Sequence, residues 1–201
     1  MPGLPPPPTS RKARSTYDRL LESCHAVMKK TGSVSPESVT EMADVSTATF
    51  YTYFESKDHA VAATFDLSLG RTMSQLAEQL TIERLLDENL ESVIHGAVRI
   101  VIDSFRADAR VYRLALSRLT DSPMMREVYV TREQEILSYL GAFVRRGVAA
   151  GRIRDEDASL LATVMLVTMQ GLQNPTLIRS ADRRLGSELA SMLVWELSPR
   201  A

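Results

Sequence analysis

Residues Val39 to Lys57 read VTEMADVSTATFYTYFESK, and this stretch holds the signals for two short helices and the tight turn between them. The start of the first helix lies just upstream. Ser35 is a good N-cap, Pro36 suits the first helical position because its missing N–H needs no partner there, and Glu37 complements the positive end of the helix dipole. Val39, Met42 and Ala43 follow at helical spacing and form a narrow apolar stripe expected to be buried. Asp44-Val45 makes the break, since Asp tolerates the turn geometry that most residues resist. Ser46 then caps a second helix.

The second helix is expected to be pinned from below by Val45, Phe50 and Phe54, leaving Thr47, Ala48, Thr49 and Thr52 on its outer face. Small residues belong where a helix enters a groove. The DNA major groove, about 12 Å wide, admits one helix, whose hydroxyls can bond several bases and whose Ala and Thr methyls can meet a thymine methyl. Tyr51, Tyr53 and Lys57 offer phenol and ammonium groups suited to phosphate oxygens, which fix position without reading sequence. Ser46, at the mouth of this helix, joins the same candidate surface.

The stretch Leu20 to Val61 resembles the DNA-binding domain of the TetR family of bacterial transcriptional regulators. Three parts carry the resemblance: Leu20-Leu21-x-x-Cys24-x-x-x-Met28 followed by Gly32; the Ala43-x-Val45-Ser46 turn; and Thr49-Phe50-Tyr51-x-Tyr53-Phe54-x-Ser56-Lys57. The sequence departs from the family pattern where Asp44 stands in place of the usual Gly, where Thr47 stands in place of a basic residue, and where Ser33 follows Gly32 in place of an aromatic. A later run, Arg146 to Leu172 with Gly147, Gly151, Ile153, Asp155, Ala158 and Gly171, is similar to the family's approach to its dimer helices. The resemblance implies an all-α chain: an N-terminal three-helix helix-turn-helix domain, then a larger helical domain for effector binding and dimerisation.

Composition sets the class. The chain has 201 residues, 44% hydrophobic and 24% charged, as in an ordinary soluble globular protein. Net charge is −1, and residues 1–57 hold seven Lys and Arg against six Asp and Glu, so attraction to nucleic acid must come from local placement. The one cysteine, Cys24, sits in an apolar helical stripe and reads as a small core residue. With no secretory signal and no long apolar span, the expected location is the cytoplasm, away from membranes. His25, His59 and His95 are widely separated and lack metal-ligand spacing, and there is no phosphate loop or nucleophile elbow. No enzyme activity, metal or cofactor is therefore expected.

Residues 1–10, MPGLPPPPTS, hold five prolines and are expected to be an extended or disordered tail. Arg11, Lys12 and Arg14 follow as a possible basic arm for a neighbouring groove or phosphate. The DNA-binding domain is set at 11–57 and the effector and dimerisation domain at 58–201. Helices are expected at about 12–30, from Ser56 to about 80, and at 82–106, 109–119, 123–150, 156–178 and 182–197, with a kink or stop at Asn174-Pro175, a boundary at Ser180-Ala181-Asp182, and no strand.

The segment LLATVMLVTMQGL, 160–172, is apolar almost all round and is expected to need cover from a second subunit. The candidate dimer residues are Leu161, Met165, Thr168, Met169, Leu172, Leu189, Met192 and Leu193, which would build a four-helix interface in a homodimer. Two recognition helices about one DNA turn apart, roughly 34 Å, would then grip a palindromic operator. Phe65, Leu69, Val101, Phe105, Tyr112, Leu116, Tyr129, Ile136 and Phe143, with Arg132 or Tyr129 as a polar anchor, are the candidate surroundings of an unknown small-molecule effector. By family analogy the chain is a repressor released by that effector; an activator, or a co-regulator working through protein partners without an operator, are the alternatives.

Overall fold

The computed structural model describes residues 4–172 and 183–200. Every regular element in them is an α-helix: α1 (Arg11–Thr31), α2 (Pro36–Ala43), α3 (Thr47–Tyr53), α4 (Lys57–Gln79), α5 (Ile82–Asp87), α6 (Leu90–Ala107), α7 (Ala109–Ser117), α8 (Pro123–Ala149), α9 (Ala158–Gly171) and α10 (Arg183–Leu197). Among the described residues there is no strand. Asn174-Pro175 and the Ser180-Ala181-Asp182 boundary lie outside the described residues.

The chain divides into two compact units. The first takes residues up to Leu69 together with Asp108–Arg132; the second takes Gly70–Ala107 and the chain from Glu133 onward. The beginning of α4, all of α7 and the first part of α8 thus fall in one unit with the helix-turn-helix.

In the first unit, α1 packs against α2 and α7, and α2 against α3. Leu20, Cys24, Val27, Val39, Ala43, Phe50, Phe54, Ala60 and Ala63 form its core, with Tyr17, Val45 and Tyr53 packed on the margin. Met42 is the exception to the predicted stripe. It is 52% exposed, because a helix of eight residues buries one narrow face, which Val39 and Ala43 fill. Residues 4–9 of the proline tail carry no regular secondary structure, and Leu4 packs on the same core. The basic arm is not an arm: Arg11, Lys12 and Arg14 occupy the first turns of α1, opened by Ser10, whose hydroxyl accepts from the Ala13 N–H at 3.3 Å.

In the second unit, α6 packs against α10 and α5, and α9 against α10. The single helix expected over 82–106 is two. Asn89 is the cause: its side chain accepts from the Ser92 N–H at 2.7 Å and starts a new helix after a break at Glu88, whose backbone leaves the helical region. Arg154 ties the turn before α9 to α10, its N–H donating to the Leu197 carbonyl at 2.9 Å and its guanidinium pairing with Glu196.

Candidate nucleic-acid interface

The helix-turn-helix is assembled by its caps. Ser35 Oγ accepts from the Ser38 N–H at 3.3 Å and opens α2 with Pro36 in its first turn. At the turn Asp44 adopts φ 50°, ψ 57°, the left-handed conformation that a short polar side chain tolerates best after glycine. The Val45 N–H then donates to the Thr40 carbonyl at 3.1 Å, closing the turn. Ser46 Oγ accepts from the Thr49 N–H at 3.2 Å and starts α3.

The residues of α3 separate by face. Phe50 and Phe54 are fully buried, with ring centroids 5.1 Å apart, and Phe54 also meets Tyr17. Ser46, Thr47, Ala48, Tyr51 and Thr52 are exposed, whereas Thr49 is half-buried with its Oγ1 2.9 Å from Ser46 Oγ. Tyr51 therefore has the freedom a backbone contact needs. Tyr53 is half-buried against the core, its ring 6.1 Å from that of Tyr17, which leaves only its rim for phosphate.

Lys57, exposed, opens α4 at the end of the motif. The loop behind it is fixed by His59: Nδ1 accepts from the Glu55 N–H at 3.2 Å, and the His59 N–H donates to Ser56 Oγ at 3.1 Å. Burial holds the His59 imidazole below its ordinary pKa, as an accepting nitrogen requires. Glu37, at the start of α2, has its carboxyl held low chiefly by the Ser35 hydroxyl at 2.7 Å, with the Lys57 ammonium adding to the effect. At the far end, Arg11 and Lys12 are exposed and Arg14 pairs with Asp18 at 3.0 Å.

A buried polar tie beneath the module was not foreseen. His25 Nε2 lies 2.8 Å from Asp108 Oδ2, and Lys29 Nζ 3.2 Å from Asp108 Oδ1. Burial alone would raise the Asp108 pKa, but hydrogen bonds from His25, Ser68 and Lys29 outweigh it and hold the carboxyl at about 2. Arg110 adds a bond to the Lys30 carbonyl at the end of α1. Together these fasten α1 to the start of α7. His25 and Asp108 are 83 residues apart, and no local pattern announces the pair. Cys24 is wholly buried beside Thr64, and burial pushes its thiol up to about 12, so it has the chemistry of a core residue.

The predicted effector residues divide. In the first unit Phe65 stacks on Tyr129, 6.5 Å between centroids and nearly parallel, and meets Tyr112 edge-on at 5.5 Å. Arg132 grips both oxygens of Asp66, Nε at 2.7 Å and Nη2 at 2.9 Å. Leu116 is half-buried and Leu69 buried in the same unit. Val101, Phe105, Ile136 and Phe143 belong to the second unit.

The predicted dimer residues lie mostly inside the single chain. Leu161, Met165, Met169, Leu172 and Leu193 are buried within the chain itself, and Thr168 and Leu189 are half-buried. Met192, 64% exposed, is the outward member of the set. The outward apolar residues of α9 and α10 are Leu160, Val167, Met192 and Trp195. A helix apolar on every side hides which of its faces turns inward, so the sequence located the helix but not its rotation.

Among the described residues no helix is long and apolar enough to cross a membrane, and no group of three or more His, Cys, Asp or Glu is placed to hold a metal ion.

This arrangement is the fold of the TetR-family transcriptional regulators. A TetR transcription regulator from Haloarcula marismortui superposes with a TM-score of 0.74 at 14% identity, over 92% of this chain and 98% of that one. GusR of Salmonella enterica superposes with a TM-score of 0.72 at 20% identity, over 92% and 96%. In sequence the chain is 25% identical over 134 residues to the uncharacterised HTH-type transcriptional regulator YhgD of Bacillus subtilis. That match takes in 64% of this chain and 65% of the relative's length. No protein-family model matches the chain. Of these, the Haloarcula and Bacillus proteins are transcriptional regulators.

Proposed function

We propose that the chain is a DNA-binding transcriptional regulator that works as a homodimer on a palindromic operator, as a repressor released by a small-molecule effector, in the cytoplasm. The observation that carries the reading is the two-sidedness of α3: capped by Ser46, anchored by the fully buried Phe50 and Phe54, and presenting Thr47, Ala48, Tyr51 and Thr52 outward. A helix fixed from below with a face of small side chains suits entry into a major groove. Tyr51, Lys57 and the exposed Arg11 and Lys12 supply phosphate contacts, with Tyr53 and Arg14 secondary because each is already engaged within the chain.

The dimer is supported by Leu160, Val167, Met192 and Trp195, large apolar side chains 53%, 60%, 64% and 72% exposed on α9 and α10. Apolar faces of this kind are covered in solution, most simply by a second copy. For the effector, Phe65 on α4, the helix that leaves the DNA-binding module, forms an apolar wall with Tyr112 of α7 and Tyr129 of α8, and Arg132 of α8 is the polar anchor. Release requires the effector to bind more tightly to the form whose recognition helices are wrongly spaced for DNA.

The test is a polarisation titration of the purified protein on DNA from upstream of its own gene, with random DNA as control, at moderate salt. Tight, competitor-resistant binding at two chains per palindrome is expected, and binding no tighter than to random DNA at any genomic fragment would overturn the reading.

A further inference from the structure

The outward face of α3 has a restricted chemistry. From Ser46 to Phe54 there is no Arg, Lys, Asn, Gln, Asp or Glu. The side chains that pair two-pronged with guanine or adenine, or accept from cytosine, are therefore missing from the helix that would enter the groove. Hydroxyl groups remain, but several are spent inside the helix. Thr52 Oγ1 donates to the Ala48 carbonyl at 3.0 Å. Ser46 Oγ takes the Thr49 N–H and shares a hydrogen bond with Thr49 Oγ1. A threonine whose hydroxyl is turned back to the carbonyl four residues earlier offers its γ-methyl to whatever approaches. Ala48, one turn before Thr52 on the same exposed face, offers another methyl.

We infer that the protein reads its operator through thymine C5-methyl groups, with the Ala48 and Thr52 methyls as the reading groups, so that the base pairs under α3 are T·A pairs recognised by apolar contact. The inference rests on the DNA-binding reading above and names the chemistry of its target. It also accounts for a recognition helix without a charge: the methyl of thymine projects into the major groove and is the one base feature there that an apolar side chain can distinguish.

The experiment uses the whole, unaltered chain. A random duplex library is selected for binding, and each thymine of the selected half-site is replaced in turn by deoxyuridine, which lacks only the C5-methyl. Affinity is expected to fall about fourfold for each thymine under α3, the worth of one buried methyl. Thymines elsewhere in the site are expected to tolerate the change. Two variants of exposed Thr52 add an independent arm: Thr52→Val keeps the methyl and should keep the sensitivity to deoxyuridine at every position, whereas Thr52→Ser keeps the hydroxyl and should lose it at the thymine that Thr52 covers. A selected site indifferent to deoxyuridine at every position, or one for which Thr52→Val fails and Thr52→Ser does not, would overturn the inference and leave the regulator reading standing. A library that yields no enriched sequence would overturn the regulator reading itself.

Discussion

Two surfaces of this chain reach solvent for different reasons. The outward face of α3 is thin and hydroxylated, with Thr47, Ala48 and Thr52 small enough to stay hydrated when nothing is bound. The outward faces of α9 and α10 hold Leu160, Val167, Met192 and Trp195, which water covers only at a cost. In the proposed dimer the first surface waits for DNA and the second is covered by a second copy. The stability of the first would then reside beneath its surface, and that of the α9 and α10 face partly outside the chain.

The largest effect should come from the underside of α3. Phe50→Ala removes a fully buried ring that touches Phe54 and Tyr51, and should cost about 3–5 kcal/mol. Tyr51→Ala, on the outer side of the same helix, should stay within about 0.5 kcal/mol. Urea unfolding measures both, and comparable losses would break the distinction between the two faces.

Next is the tie between α1 and α7. Asp108 has a folded-state pKa of about 2 against an ordinary 3.8. A depressed carboxylate pKa stabilises the fold above the unfolded value, and the benefit is lost as pH falls toward 2. Asp108→Asn should therefore cost about 2–3 kcal/mol at neutral pH, since His25 and Lys29 lose the charge they face. It should also flatten the pH dependence of stability between 3.8 and about 2, read from urea midpoints across that window. An unchanged acid limb would place the buried stability of the module elsewhere.

The α9 and α10 face should respond in the opposite manner. Trp195→Asp alters a residue 72% exposed in the single chain, so the protomer should keep its fold while self-association weakens by about 2 kcal/mol or more, roughly thirtyfold, in sedimentation runs. Leu193→Ala, buried in the chain, should instead lower the stability of the protomer by about 2–5 kcal/mol. If both variants change only folding, this face has no partner copy.

How much of this was legible in the sequence depended on the range of the interaction. Ser35, Pro36, Asp44 and Ser46 act within a few residues of themselves, and their roles in the turn could be read directly. The aromatic anchors Phe50 and Phe54 were legible because α3 has a polar side to contrast with them. In α9 that contrast is absent: Leu161 and Met165, expected at a dimer face, are buried within the chain, while Leu160 and Val167 reach solvent. The break at Asn89 is a local cap hidden by apolar residues, Leu85, Leu86, Leu90, Val93 and Ile94, that keep helical spacing across it. The Asp108 tie joins residues far apart in the chain, and only folding brings them together. Placement of α7 and the start of α8 with the helix-turn-helix was hidden for the same reason.

The smallest effect concerns Lys57, and it separates holding from reading. Its ammonium is exposed at the start of α4 and close enough to Glu37 to lower that carboxyl's pKa. A lysine on a phosphate releases about one condensed counterion from duplex DNA. Lys57→Ala should therefore reduce the slope of log affinity against log salt by about one, equally on selected and random DNA, and leave the ranking of sequences intact. Thr52→Ser should do the reverse, altering the ranking while the salt slope stays fixed, because it exchanges a methyl for hydrogen without touching charge. Half-buried Thr49, whose hydroxyl is shared with Ser46, should fall between them: Thr49→Ala would alter preference only by loosening the first turn of α3, and so in proportion to its loss of helix stability. A change in salt slope from Thr52→Ser, or in sequence ranking from Lys57→Ala, would show that the same side chains both hold and read, and that the thin face of α3 is less divided than its hydrogen bonds imply.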